Sequence, residues 1–98
     1  MARIEIAPDV NDDIDRIFDH IAQHDLDHAA ERVREIMDAI SVLERNPLIG
    51  RPAQRNKREL VIGRRSRGYV ALYRYVPEFD TVFVLALRSQ REAGYKHD

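Results

Sequence analysis

Three groups of residues in this 98-residue chain have the types and spacing that chemistry requires: a histidine trio, a set of arginines and a polar C-terminal motif. His20, His24 and His28 stand four apart, a spacing that suggests metal ligands on a helix. His20 and His24 share a helix face. The run is not the H-E-x-x-H pattern, however, a helix break near Asp25 displaces His28, and these positions lie off the apolar stripe of Ile14, Ile17, Phe18 and Ile21. Solvated histidines are the better reading, with no metal or other cofactor expected. Asp12, Asp13, Asp15 and Asp19 lack a spacing that pairs carboxylates for acid and base work, and they read as a solvated helix face. Gly63-Arg64-Arg65-Ser66-Arg67-Gly68 lacks the spacing and the lysine of a phosphate-binding loop. It reads as a basic turn whose guanidinium forks suit phosphate or a partner's carboxylates.

The third group, Arg88-Ser89-Gln90-Arg91-Glu92-Ala93-Gly94-Tyr95, follows an apolar strand and begins where the core gives out. Arg88 and Arg91 can stabilise charge on a phosphate under attack, and Tyr95 can donate or relay a proton or stack on a base. The plainer alternative is a C-terminal turn with Tyr95 folded back on the sheet. No general base accompanies these arginines, because a guanidinium cannot accept a proton near neutral pH.

Charge divides the chain. The formal net charge is only −1, yet residues up to Glu44 hold four bases and twelve acids, and those from Arg45 onward hold twelve bases and five acids. The halves therefore carry −8 and +7. Such asymmetry hints at a polyanionic partner for the basic half or an oppositely charged one for the acidic half. All the bases except Lys57 and Lys96 are arginine, a bias that suits forked contacts and that GC-rich coding also produces.

The elements that must position these groups follow from periodicity. Arg3 to Ala7 alternates as a strand ended by Pro8. From Asn11 an amphipathic helix runs, with Asp9 or Asn11 as N-cap. A second helix places Leu26, Ala29, Ala30, Val33, Ile36, Met37, Ile40 and Leu43 on one stripe, and Asn46-Pro47 stops it. Leu48 to Arg58 reads as loop. Leu60–Ile62, Tyr69–Val76 and Thr81–Leu87 read as strands, the last apolar enough to be central. The expected fold is α+β: an N-terminal strand, a helical hairpin and a three-stranded antiparallel meander, in the order β-α-α-β-β-β. At 44% hydrophobic and 34% charged, the chain has a globular balance, and its length suits one domain over residues 1–98. No apolar run approaches the roughly 20 residues of a membrane span, cysteine is absent, and no targeting segment follows Met1. A cytoplasmic location without membrane contact is expected.

This order, the loop Asn46-Pro47-Leu48-Ile49-Gly50-Arg51-Pro52, the strand Gly68 to Tyr75 and the ending Val84 to Tyr95 together resemble the RelE/ParE superfamily of type II toxin–antitoxin toxins, also called plasmid stabilisation proteins. The resemblance covers almost the whole chain. It implies a growth-inhibiting toxin neutralised by a cognate antitoxin, and it leaves a homodimer or a heterotetramer with the antitoxin open as the assembly. RelE-like members cut mRNA on the ribosome without metal, and ParE-like members inhibit DNA gyrase. Nuclease members tend to carry Lys or Arg on the strand matching Leu60–Ile62, Arg just after the tyrosine matching Tyr69, and His or Arg near Ser89. Here those places hold apolar residues, Val70 and Ser89. The resemblance is thus more ParE-like, implying action by binding a target such as DNA gyrase. The alternatives are a metal-independent, ribosome-dependent mRNA endoribonuclease and a non-toxic interaction domain. In the nuclease alternative Arg67, Arg88, Arg91 and Tyr95 are the catalytic candidates. In every case Arg64, Arg65, Arg67, Arg74, Arg88 and Arg91 are candidates for target or antitoxin binding.

Overall fold

The computed structural model describes residues 1–64 and 67–97. Strand β1 (Arg3–Ile6) leads through Pro8 into helix α1 (Asp9–Asp25). Pro8 itself takes the N-cap position without a side-chain cap hydrogen bond, so neither Asp9 nor Asn11 caps the helix. Asp9 and Asp12 instead sit in the first turn, where the helix dipole favours negative charge.

A tight 3-10 turn, Leu26–His28, separates α1 from α2 (Ala29–Ile40), and a second, Ser41–Glu44, follows it. Winding at three residues per turn shifts the phase of the stripe. Leu26 and Ala30 are consequently exposed rather than on the buried stripe. Ala29, Ile36, Ile40 and Leu43 carry the packing against Val10, Ile17 and Ile21 of α1.

The sheet departs from the expected count. Within the segment read as loop, Arg51–Pro52 forms a two-residue strand, β2, paired antiparallel with β3 (Arg58–Ile62). With β4 (Tyr69–Val76) and β5 (Thr81–Ser89) the order is β1-β5-β4-β3-β2, five strands rather than a three-stranded meander plus one. Pro52 fits because β2 is an edge strand and needs no donor on its outer side. β1 lies parallel beside β5, Arg3 opposite Thr81 and Ile6 opposite Val84. The β4–β5 register shifts at Leu72/Tyr73, leaving Leu85 as the extra residue of a bulge.

Alternation along the strands gives the sheet two unlike faces. Ala71, Tyr73, Val82, Val84 and Leu87 pack under the helices in the main core. Val70, Leu72 and Ala86 are also buried, but they stand outside that cluster on the far face. The helix face is pinned at one corner by Tyr73, which is fully buried and whose hydroxyl accepts the Gly50 N–H at 2.9 Å. Arg58 donates to the Leu48 and Gly50 carbonyls and holds the same loop. Among the described residues no helix is long and apolar enough to cross a membrane.

Candidate functional site

Where β1 runs out, β5 continues. The Ala7 N–H still bonds the Val84 carbonyl, but further along, the backbone of Leu87, paired with β4 on one side, has no strand on the side that β1 has left. Asp13 accepts the Leu87 N–H at 2.9 Å, and Arg16, one turn further along α1, donates to the Leu87 carbonyl at 3.2 Å. The two side chains stand in for a strand. Asp13 is only 1% exposed, so it is not part of a solvated helix face. Arg16 bridges Asp13 at 2.8 Å and Glu92 at 3.0 Å. Burial works against the Arg16 charge, but its hydrogen bonds and ion pairs with Asp13 and Glu92 outweigh that and raise its pKa. His97 sets Nε2 at 2.9 Å from the other Asp13 oxygen, tying the end of the chain to the same acid.

Between Glu92 and His97 the tail reaches the far face. The Tyr95 hydroxyl donates to Glu59 Oε2 at 2.6 Å, and the Arg88 guanidinium lies 5.0 Å from the centre of the Tyr95 ring. Arg51 closes the group by donating to Glu59 Oε1 at 3.0 Å. Glu59 and Arg51 face each other because β2 pairs with β3 in that register. Burial and the Glu59 carboxylate push the Tyr95 phenol well above its ordinary range. Burial opposes the Glu59 charge, but hydrogen bonds from Tyr95 and Arg51, with the Arg51 and Arg88 charges, hold Glu59 below the usual carboxylate range. A carboxylate so stabilised is a weak base, and Tyr95 stays protonated.

Beside this group a cleft of about 340 Å³ opens, lined by Gln54, Arg55, Lys57, Glu59, Leu72 and Tyr95. Its wall is the β2–β3 turn, in which Lys57 N–H bonds the Gln54 carbonyl and Arg55 and Asn56 take φ of 59° and 61°. Arg74 reaches from β4 to donate to the Arg55 carbonyl at 3.1 Å. A wider depression of about 570 Å³ beside Met1, Glu44, Arg45 and Asp80 lies at the N-terminus. The smaller cleft is the better candidate because Arg55, Glu59 and Tyr95 line it beside the apolar Leu72.

Of the residues singled out from sequence, the structure brings Arg88 and Tyr95 into contact and places Arg74 near the cleft wall. Arg64, Arg67 and Arg91 are exposed and join neither group. Arg65 lies outside the described residues. His20 and His24 stack edge to face at 5.4 Å, while His28 bonds Asp25 at 2.8 Å. Among the described residues no group of three potential ligands could hold a metal.

Sequence reasoning missed Asp13, Arg16, Glu59 and His97. Two signals were present. Asp13 falls three residues after Val10 and four before Ile17, on the apolar stripe itself. Glu59 is a lone acid in a strand of the basic half, where an unpaired carboxylate has several arginines to meet.

Comparison with known proteins bears on the whole chain. The family model described as ParE toxin of the type II toxin–antitoxin system parDE matches residues 4–94. A solved structure of the chromosomal ParDE system from P. aeruginosa superposes with a TM-score of 0.77 at 22% identity, covering 91% of this chain and 96% of that one. At that identity the likeness speaks for the fold. No curated protein matches the chain.

Proposed function

The chain belongs to the ParE toxin family of type II toxin–antitoxin systems, and from that premise we propose a growth-inhibiting toxin that a cognate antitoxin neutralises and that acts by binding a target such as DNA gyrase, without cutting RNA. The observation that carries this reading is the Tyr95–Glu59 hydrogen bond under Arg88. A metal-free ribonuclease needs a base for the ribose hydroxyl and a donor for the leaving oxygen. Here the one phenol in the motif is spent on Glu59, and Glu59 is spent on Arg51. Arg67 and Arg91, the other nuclease candidates, are exposed and make no hydrogen bond or ion pair with Tyr95 or Arg88 among the described residues. What remains is a binding surface of guanidinium groups. The toxin unit spans residues 1–98 and works in the cytoplasm, where both gyrase and antitoxin are met.

Inducible expression with pulse labelling tests the proposal. Stalled DNA synthesis with intact transcripts is the expected result, and Tyr95→Phe should keep growth inhibition to within a few-fold. Prompt loss of translation with cut transcripts, abolished by Tyr95→Phe, would transfer the assignment to the endoribonuclease alternative. Growth unaffected by expression would leave a non-toxic interaction domain.

A further inference from the structure

We propose that the end of the sheet formed by the β4–β5 turn and the N-terminus is a self-association surface. Two copies of this chain pair there about a two-fold axis, each seating Phe79 in the depression beside Ala2, Arg45 and Pro47 of the other. The proposal stands on this end of the molecule and does not rest on the toxin reading.

The turn at residues 77–80 presents an aromatic knob. Phe79 is 74% exposed and Met1 79%, the two most exposed large apolar side chains among the described residues. Turn tips favour Gly, Asn, Asp and Pro, so the local backbone gives no reason for an aromatic ring here. The ring is also held on a fixed backbone. The Asp80 N–H donates to the Pro77 carbonyl at 3.0 Å, the Thr81 hydroxyl to the Phe79 carbonyl at 2.9 Å, and the Tyr75 hydroxyl to Asp80 Oδ1 at 2.7 Å. The Arg3 N–H, on the Asp80 carbonyl at 2.9 Å, ties the turn to β1. Asp80 itself takes φ of 46°, a left-handed conformation that a non-glycine residue adopts only when its surroundings impose it. A ring on so constrained a turn has little backbone freedom left to lose on docking, which is what makes an aromatic anchor effective.

The matching hole lies on the same surface. The depression of about 570 Å³ is lined by Met1, Ala2, Glu44, Arg45, Pro47 and Asp80, and Phe79 immediately precedes the last of these. Its volume accommodates a phenyl ring, for which about 150 Å³ suffices. A knob beside a hole is self-complementary: under a two-fold axis each copy supplies both, and the assembly closes at two molecules.

Charge favours a second copy over other occupants. The rim carries both signs, Arg45 against Glu44 and Asp80, so a small ion of either charge meets repulsion as well as attraction. Neither the Arg45 nor the Glu78 side chain has a hydrogen bond or ion pair among the described residues. When Phe79 enters the facing depression, Glu78 is carried to the rim on which Arg45 of the other copy stands, and the axis repeats that pairing. A net charge of −1 lets two copies approach without long-range repulsion. The turn precedes β5 whereas Arg88 and Tyr95 lie at and beyond its other end, about 30 Å of strand away. Pairing through the turn therefore leaves the cleft beside Tyr95 free in both copies.

Sedimentation velocity of the full-length protein over a concentration series tests this. A monomer–dimer equilibrium in the micromolar range is expected. Phe79→Ser, at an exposed position, should leave the melting temperature of the dilute protein unchanged and raise the dissociation constant about a hundredfold, roughly tenfold for each of the two rings. Arg45→Glu should weaken pairing about tenfold, and adding Glu78→Arg should bring it back to within a few-fold of the original. Monomer at every concentration, or undiminished pairing by the folded Phe79→Ser protein, would overturn the surface. Oligomers that keep growing beyond the dimer, or a charge reversal that the second substitution fails to rescue, would overturn the two-fold arrangement.

Discussion

The two faces of the sheet are closed in different ways. Under the helices, Ala71, Tyr73, Val82, Val84 and Leu87 meet Val10, Ile17, Ile36, Ile40 and Leu43 in an apolar layer, where burial is non-directional and scales with area. On the far face, Val70, Leu72 and Ala86 are buried outside the helix-covered cluster, and Glu59 and Arg88, paired across the strands from Leu72 and Val70, are joined with Arg51 and Tyr95 by directional contacts. An apolar layer is lost only when the fold is lost. A polar clasp can be opened one bond at a time, which suits a surface that must exchange partners.

The contrast is sharpest where the tail crosses between the two regimes, at Asp13. Asp13→Ala should remove a buried acid from Leu87, Arg16 and His97 at once and cost about 3 kcal/mol, because the buried Leu87 N–H is left bare while Arg16, still paired with Glu92, loses one of its two carboxylates. Urea denaturation should show the loss as a lowered midpoint at unchanged slope, and a cost below about 1 kcal/mol would mean that the stand-in strand is dispensable. Next comes Gly50→Ala. A Cβ there would sit 2.7 Å from the Tyr73 hydroxyl and 2.8 Å from the Glu59 carbonyl, an overpacking worth about 1–3 kcal/mol on the helix-face side.

Tyr95→Phe belongs to the far face and should cost only about 1 kcal/mol globally. Hydrogen exchange should rise in the tail and at Glu59 while β5 stays protected. Protection lost evenly across the sheet would erase the distinction between the faces.

Acid should act on the same clasp. With its pKa held below the unfolded value, Glu59 adds stability at pH above the ordinary carboxylate range of about 4.3. That contribution is lost as pH falls through the lower, folded value. Tyr95 ring resonances followed by NMR should therefore report release of the tail on the acid side of that range. The smallest effect is expected at exposed His28, whose hydrogen bond to Asp25, helped by the charge of that residue, raises its pKa. Its contribution is present below about pH 6.5 and fades as pH rises through the raised value. Asp25→Asn should return the titration to an ordinary histidine, as NMR would show, with the melting temperature hardly moved.

Much of this was legible in the residues. The 3.6-residue stripe marked α1 and most of α2, period-2 and β-branched runs marked β1, β3, β4 and β5, and the motif order carried the family resemblance. β2 was hidden because two residues are too few for a period, and they sit among Pro and Gly. Asp13 was hidden by its company, since an acid among acids reads as surface until the face it occupies is known.

The sequence by itself determined the helices and strands, and it divided the charge between a helical half and a sheet half, because both follow from local order along the chain. Tertiary structure alone decided that β1 ends short of Leu87, that Asp13 and Arg16 fill the vacancy, and that Glu59 meets Tyr95 across 36 residues. Those outcomes depend on register and on which groups burial leaves without a partner. Neither quantity exists until the strands are side by side.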